Sequence, residues 1–223
     1  MEMMFGELNA SGYANNDMFY NAEFEGILAK MIACYKLIYV NNITLSNNEN
    51  SIRDFILYNY LKKQWFKTEY GMTGYLFDPE LPENTGRIDI RIMPVNPFIN
   101  DEAYYVIECK RLSSKNVAGK SGLNSEYISE GICRFISEKY STYYRTNGMI
   151  GFVIDPIDIN INVDSINNLL ATDFSGTNTT QNLQYREIVV DFGFSYCSCH
   201  KVSEKSVILY HLMFDFSKNI NCY

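Results

Sequence analysis

No apolar run in this 223-residue chain is long and uncharged enough to cross a bilayer. The most apolar stretch, Ile27 to Val40, is interrupted by Lys30 and Lys36. The opening Met1-Glu2-Met3-Met4 has no basic leader of the export type, so a cytoplasmic location is expected, with the six cysteines reduced. Basic residues are in the minority: Lys and Arg number 19 against 26 Asp and Glu, a net charge of −7 that excludes a generally adhesive nucleic-acid binder. Cysteine pairing for zinc is also thin. Cys197-Ser-Cys199-His200 is one cluster, but zinc sites use two ligand pairs, and His211 and Cys222 are too distant in sequence to form an obvious second. In an alternating strand, Cys197 and Cys199 are two inward side chains. Gly119-Lys120-Ser121 has the ending of a phosphate loop, yet Ser114 stands where its first glycine is required, which excludes that nucleotide site. There is no internal repeat and no alternating basic and aromatic RNA motif, so the eighteen tyrosines read as core and surface amphipaths.

What is present is an ordinary core-forming composition, 47% hydrophobic and 20% charged, enough for one domain with an appendage. Its most informative stretch is Gly86 to Arg111. Gly86-Arg-Ile-Asp-Ile-Arg-Ile92 and Tyr104-Tyr-Val-Ile-Glu-Cys-Lys-Arg111, joined through Pro94 and Pro97, both have strand character. Successive strand side chains point to opposite faces, so Glu108 and Lys110 share one face and Ile107 and Cys109 the other. Ile88, Ile90 and Ile92 likewise oppose Asp89 and Arg91. If the strands pair, Asp89, Glu108 and Lys110 converge, a set that is costly to desolvate unless a cation or an anionic substrate completes it. The motif residues are expected to face solvent. Charge is uneven along the chain: from Glu108 to Arg145 seven basic residues meet four acidic ones, net +3, leaving −10 for the rest. Such a strip suits a phosphate backbone, and a solvated helix face gives the same count.

Periodicity predicts an α/β chain with a mixed sheet. A helix is expected from Asp17 to Val40 within an N-terminal extension (1–48), where Glu23 and Glu25 favourably oppose the helix dipole. The Asn- and Ser-rich stretch Asn41 to Asn50 favours turns and caps. Next come a helix from Asn50 to Phe66, a short strand Tyr75 to Asp78, the two motif strands, a helix from Asn124 to Tyr144 and a buried strand Met149 to Ile154. Beyond lie a short helix within Asp155 to Leu170, a Ser/Thr/Asn/Gly loop from Thr172 to Asn182, and a C-terminal β-hairpin of Tyr185 to His200 and Ser206 to Phe216. His200 and His211 fall on that hairpin and read as hydrogen-bonded structural groups.

Asp89 followed by Glu108-Cys109-Lys110, in the order helix, three strands, helix, strand, resembles the PD-(D/E)xK nuclease superfamily with its restriction-endonuclease-like αβββαβ core. The resemblance spans about Glu49 to Ile154, within a nuclease-like domain 49–223 whose residues 155–223 are additions. Ile88 stands where the name-giving proline would be. The Q-x-x-x-Y pair of some members is absent, its region holding Glu126, Tyr127, Glu130 and Arg134. The resemblance implies a metal-dependent DNA hydrolase of restriction or genome-defence type. It implies Asp89, Glu108 and Lys110 as catalytic groups, with Glu49 from the first core helix. Mg²⁺, with Mn²⁺ as substitute, would be held by Asp89, Glu108 and the Cys109 carbonyl. Arg111, Lys115, Lys120 and Arg134 would then meet DNA phosphates. Each has a duller reading: Glu49 as a residue favoured by the helix dipole, Asp89 paired with Arg87 or Arg91, Glu108 paired with Lys110, and the lysines solvated. A catalytically inactive protein on the same fold, binding nucleic acid or protein, and an unrelated α/β module stay open beside the nuclease. Nothing in the sequence sets the oligomeric state.

Overall fold

The computed structural model describes residues 16–83, 86–95, 103–140 and 143–221. Pro97, Cys222 and the chain's first residues, Met1 to Met4 among them, lie outside those described. A mixed seven-stranded sheet runs through the molecule in the order β1-β2-β3-β4-β7-β6-β5. Its strands are β1 (Tyr75–Glu83), β2 (Gly86–Pro94), β3 (Tyr105–Leu112), β4 (Thr146–Val153), β5 (Thr179–Tyr185), β6 (Ser195–Val202) and β7 (Lys205–Asp215). β1, β2 and β3 form an antiparallel meander, β4 joins β3 and β7 in parallel, and β6 and β5 complete the sheet antiparallel. The parallel centre is buried on both faces, and so β4 is buried at every position.

Helices cover both faces. α1 (Asn16–Val40), α2 (Glu49–Ile56) and α3 (Gln64–Glu69) pack Phe24, Ile27, Met31, Ile52, Ile56 and Phe66 against Ile90, Ile107, Ile150 and Leu212. α4 (Leu123–Tyr127), α5 (Cys133–Ile136) and α6 (Ile159–Thr172) close the other face with Tyr127, Phe135, Ile166 and Leu170 on Val106, Met149 and Leu209. Both helices expected to be continuous contain a π turn, at Leu57–Leu61 after α2 and at Ile128–Ile132 between α4 and α5. These two segments flank the motif strands, the kind of position where π turns concentrate. The helix of the N-terminal extension belongs to the same core as the sheet. Its Glu23 accepts hydrogen bonds from the Tyr105 hydroxyl at 2.6 Å and the Tyr75 hydroxyl at 3.1 Å, and Glu25 accepts from Tyr210 at 2.8 Å. Those glutamates therefore tie the helix to the sheet, a role beyond the helix dipole.

Local chemistry explains several boundaries. Asn48 caps α2, its side chain accepting the Ser51 N–H at 3.0 Å, which orients the turn carrying Glu49. The outward carbonyls of edge strand β1 are taken by Lys62 Nζ on Phe77 and Lys67 Nζ on Tyr75, and Pro79 further along brings no N–H, so this edge offers little to a foreign strand. Part of the stretch expected as a loop at Thr172 to Asn182 is instead the end of α6 and the start of β5. β5 is polar because only Leu183 is buried, and Asn167 on α6 mimics a neighbouring strand by bonding both the N–H and the carbonyl of Leu183. Ile88 also departs from its expected face: it packs with the α4–α6 layer while Ile90 and Ile92 pack with the α1–α3 layer.

Candidate active site

The ladder between β2 and β3 pairs Ile92 with Tyr105, Arg91 with Val106 and Ile90 with Ile107, then stops. One residue further along β2, the Asp89 side chain takes over from the backbone: its Oδ2 accepts the Cys109 N–H at 2.8 Å. That substitution places a carboxylate beside the Glu108-Cys109-Lys110 run where the two strands part. Glu108 and Lys110 share the α4–α6 face of β3 as alternation requires, while Cys109 enters the opposite core.

The site is buried, contrary to the expectation that its residues face solvent: Asp89 is 8%, Glu108 0% and Lys110 7% exposed. Burial of this kind is tolerated only with dense pairing. Lys110 Nζ donates to Glu108 Oε1 at 2.8 Å, the Cys109 carbonyl at 2.9 Å and Glu49 Oε1 at 3.1 Å. Glu49, the first residue of α2, also accepts the Arg111 N–H through Oε2 at 3.0 Å, so its place in the site goes beyond favouring a helix N-terminus. One turn along α2, Arg53 binds Asp89 Oδ1 at 2.9 Å, Glu80 at 2.9 Å and Asp54 at 2.8 Å. The pairing expected for Asp89 with Arg87 or Arg91 is replaced by this one. Glu80 adopts a left-handed backbone at φ 53 between two residues that pair regularly with β2, which turns its carboxylate toward Arg53.

Glu108 Oε1 also accepts from Arg134 Nη1 at 2.7 Å, beside Lys110, and Oε2 lies 2.7 Å from the Tyr140 hydroxyl. The same hydroxyl is 2.6 Å from the Arg87 carbonyl and has a single hydrogen for two acceptors. A proton on Glu108 completes the set by donating to Tyr140, whose own hydrogen then goes to Arg87. Burial first, and the nearby Asp89 second, push the Glu108 carboxyl up to about 7, with Lys110 and Arg134 pulling the other way. Burial pulls the Lys110 ammonium down, but Glu108, Asp89 and Glu49 together outweigh it and hold the ammonium above the usual lysine range.

Of the residues expected to meet phosphate, Arg134 is turned inward onto Glu108, and Lys120 pairs with Asp173 at 2.7 Å after α6. Arg111 reaches the Asn47 side chain at 3.0 Å, and Lys115 lines a cavity of about 440 Å³ with Asn47, Ser113, Asn116 and Asp155 at the C-terminal ends of β3 and β4. Sequence reasoning gave no role to Arg53, Glu80 or Tyr140. An arginine amid Ile52, Phe55 and Ile56 was the available signal for the first. Tyr140 was hidden among apolar residues.

Comparisons with known proteins identify no relative. No protein-family model, no curated protein and no solved structure matches the chain. The geometry therefore stands alone.

Cys197 and Cys199 alternate with Ser198 and His200 along β6, so the thiols and the imidazole lie on opposite faces of the strand. The histidines form a separate buried chain. Tyr127 lies 2.8 Å from His211 Nδ1, His211 Nε2 lies 2.8 Å and His200 Nε2 2.9 Å from Ser198 Oγ, and His200 Nδ1 lies 3.2 Å from the Thr177 carbonyl. A carbonyl only accepts, so His200 carries its hydrogen on Nδ1 and takes the Ser198 proton at Nε2. His211 must then donate from Nε2 to Ser198 and accept from Tyr127. Burial lowers His200 to about 4 and holds His211 well below its usual value, keeping both neutral. Among the described residues no helix is long and apolar enough to cross a membrane, and no group of three His, Cys, Asp or Glu side chains is arranged to hold a metal ion.

Proposed function

We propose that this chain is a metal-dependent phosphodiester hydrolase acting on DNA, a restriction-type or genome-defence nuclease of PD-(D/E)xK design working in the cytoplasm. The observation that carries the reading is the convergence of Asp89 on β2, Glu108 and Lys110 on β3 and Glu49 on α2 at the point where the β2–β3 ladder opens. The arrangement of α2, the β1–β3 meander, the α4–α5 crossover and parallel β4 agrees with an αβββαβ core.

The donor set suits a hard divalent cation. Glu108 Oε1, Glu49 Oε1 and the Cys109 carbonyl lie within 3.1 Å of one point, and Asp89 is bonded to the Cys109 N–H next to it. Asp89, Glu108 and Cys109 would hold Mg²⁺ or Mn²⁺, which when bound supplies positive charge to the developing phosphorane and acidifies water. Lys110 orients the attacking water and neutralises charge on the reacting phosphoryl group. Arg53 fixes Asp89, and Arg134 with Tyr140 fixes Glu108. Arg111 and Lys115 would meet flanking phosphates, positioning the strand without reading its sequence.

A second reading has its own support. All six carboxylate oxygens of Asp89, Glu108 and Glu49 already have a polar partner within the chain. That saturation suits a catalytically inactive member of the fold that binds nucleic acid or protein. Cleavage of plasmid, linear duplex and single-stranded DNA with Mg²⁺ or Mn²⁺ separates the two. The nuclease cuts, and Lys110→Ala abolishes cutting; a wild type that cuts none of these DNAs with either metal supports the inactive reading.

A further inference from the structure

Resting on the nuclease reading, the geometry points to a cation exchange at the centre of the site: the Lys110 ammonium fills the oxygen cage that a divalent cation must enter. Binding of that cation expels Lys110 toward the water and phosphate it serves. Three oxygens from three residues, Glu108 Oε1, the Cys109 carbonyl and Glu49 Oε1, surround this single nitrogen at 2.8, 2.9 and 3.1 Å. Mg²⁺ bonds oxygen at about 2.0–2.1 Å, so the same cage closes around a smaller ion of twice the charge with modest movement. An ammonium and a divalent cation cannot share those oxygens, because their mutual repulsion in a buried site is large.

The cage is built to outlast the departure of the lysine. Glu108 keeps Tyr140 through Oε2, and Glu49 keeps the Arg111 N–H through Oε2. Gly131, in the π turn above β3, lets Met149 pack beside the lysine stem: a side-chain carbon there would lie 2.4 Å from Met149 Cε and 3.6 Å from Lys110 Cγ. Lys110 thus plays two parts in sequence: it neutralises the carboxylates while no metal is present, and becomes a substrate-facing group once metal displaces it. The exchange predicts an effect opposite to that of losing an ordinary site residue, since removing the ammonium should strengthen metal binding.

The test compares wild type with Lys110→Met, which keeps the stem without the charge, by calorimetric titration of Mn²⁺ alone. Lys110→Met is expected to bind Mn²⁺ at least tenfold more tightly than wild type. In wild type, reductive methylation of Lys110, read by mass spectrometry, should rise several-fold on adding Mg²⁺, and this second measurement decides the matter if the variant does not fold. Equal or weaker Mn²⁺ binding by folded Lys110→Met, no binding by either protein, or Lys110 labelling unchanged by Mg²⁺ would overturn the exchange. DNA cleavage by the same samples keeps the two ideas apart. Tighter binding without any wild-type cleavage leaves the exchange standing and sinks the nuclease, whereas wild-type cleavage without tighter binding does the reverse.

Discussion

Two buried polar networks lie in one sheet, and they solve the same problem differently. Around β2 and β3, carboxylates from Glu49, Glu80, Asp89 and Glu108 interlock with Lys110, Arg53 and Arg134. Across β6 and β7, Tyr127, His211, Ser198 and His200 form a neutral chain that ends at the Thr177 carbonyl and the Thr179 hydroxyl, both 3.2 Å from His200 Nδ1. The neutral chain is buried and holds no charge to exchange, which marks it as structural. In the ionic network several donors compete for shared acceptors, so partners can be exchanged without orphaning a charge. Readiness to exchange, more than burial or charge, separates a candidate site from a scaffold here.

The largest effect on that contrast should come from Arg53→Met. It leaves the buried Asp89 without its cation while Glu80 keeps Arg87 at 3.1 Å, and breaking a buried ion pair typically costs about 3–5 kcal/mol, measurable by urea unfolding. Asp89→Ala orphans the Cys109 N–H and takes one of three carboxylates from Arg53, so the fold is not indifferent to it; Asp89→Asn, which keeps an oxygen for Cys109, is the gentler probe of activity.

Stability against pH should resolve the networks by sign. A pKa difference of one unit between folded and unfolded states is worth about 1.4 kcal/mol. His200 goes from 6.5 unfolded to about 4 folded, so the stability it lends is present above 6.5 and is lost as pH falls toward 4, and His211 acts in the same direction. Glu108 goes from 4.5 unfolded to about 7 folded, so its contribution is present below 4.5 and is lost as pH rises through 7. The urea midpoint of wild type should fall below pH 6.5, with two histidines opposed by one glutamate. Glu108→Gln should steepen that acid fall and gain on wild type above pH 7. An unchanged slope in Glu108→Gln would mean that the carboxyl titrates normally.

Within the neutral chain, Ser198→Ala removes the acceptor of His211 and the donor to His200, an expected loss of about 1–3 kcal/mol for each buried group left unpaired. The smallest effect belongs to Asn48→Ala, about 1 kcal/mol from the lost cap of α2. Mn²⁺ titration of that variant should show a weaker site as well, because the same turn presents Glu49.

Much of this was legible in the sequence where side chains report directly on faces. The alternation in Gly86 to Arg111 placed Glu108 and Lys110 together and Cys109 opposite, and the helical spacing of Ile52, Phe55 and Ile56 located the helix carrying Glu49. The misses have physical causes. Strand β5 reads as a loop because it is an edge strand with only Leu183 buried, held by backbone ladders and the Asn167 amide. Arg53 and Tyr140 were obscured because a long side chain on an apolar face can carry its polar end to a partner far away in sequence. Arg134 belonged to a basic strip by count, yet its direction depends on the π turn just before α5, which the sequence does not announce.

The position of β4 has a consequence for how the chain comes to be folded. Its partners on both sides run parallel to it, and the one on the far side, β7, ends at Asp215. At a synthesis rate of about 5–20 residues per second, an apolar strand waits several seconds on the ribosome before its last neighbour emerges. Non-local parallel pairing is also intrinsically slow. The most buried strand of the finished protein is thus the one most exposed to misassembly while the protein is being made.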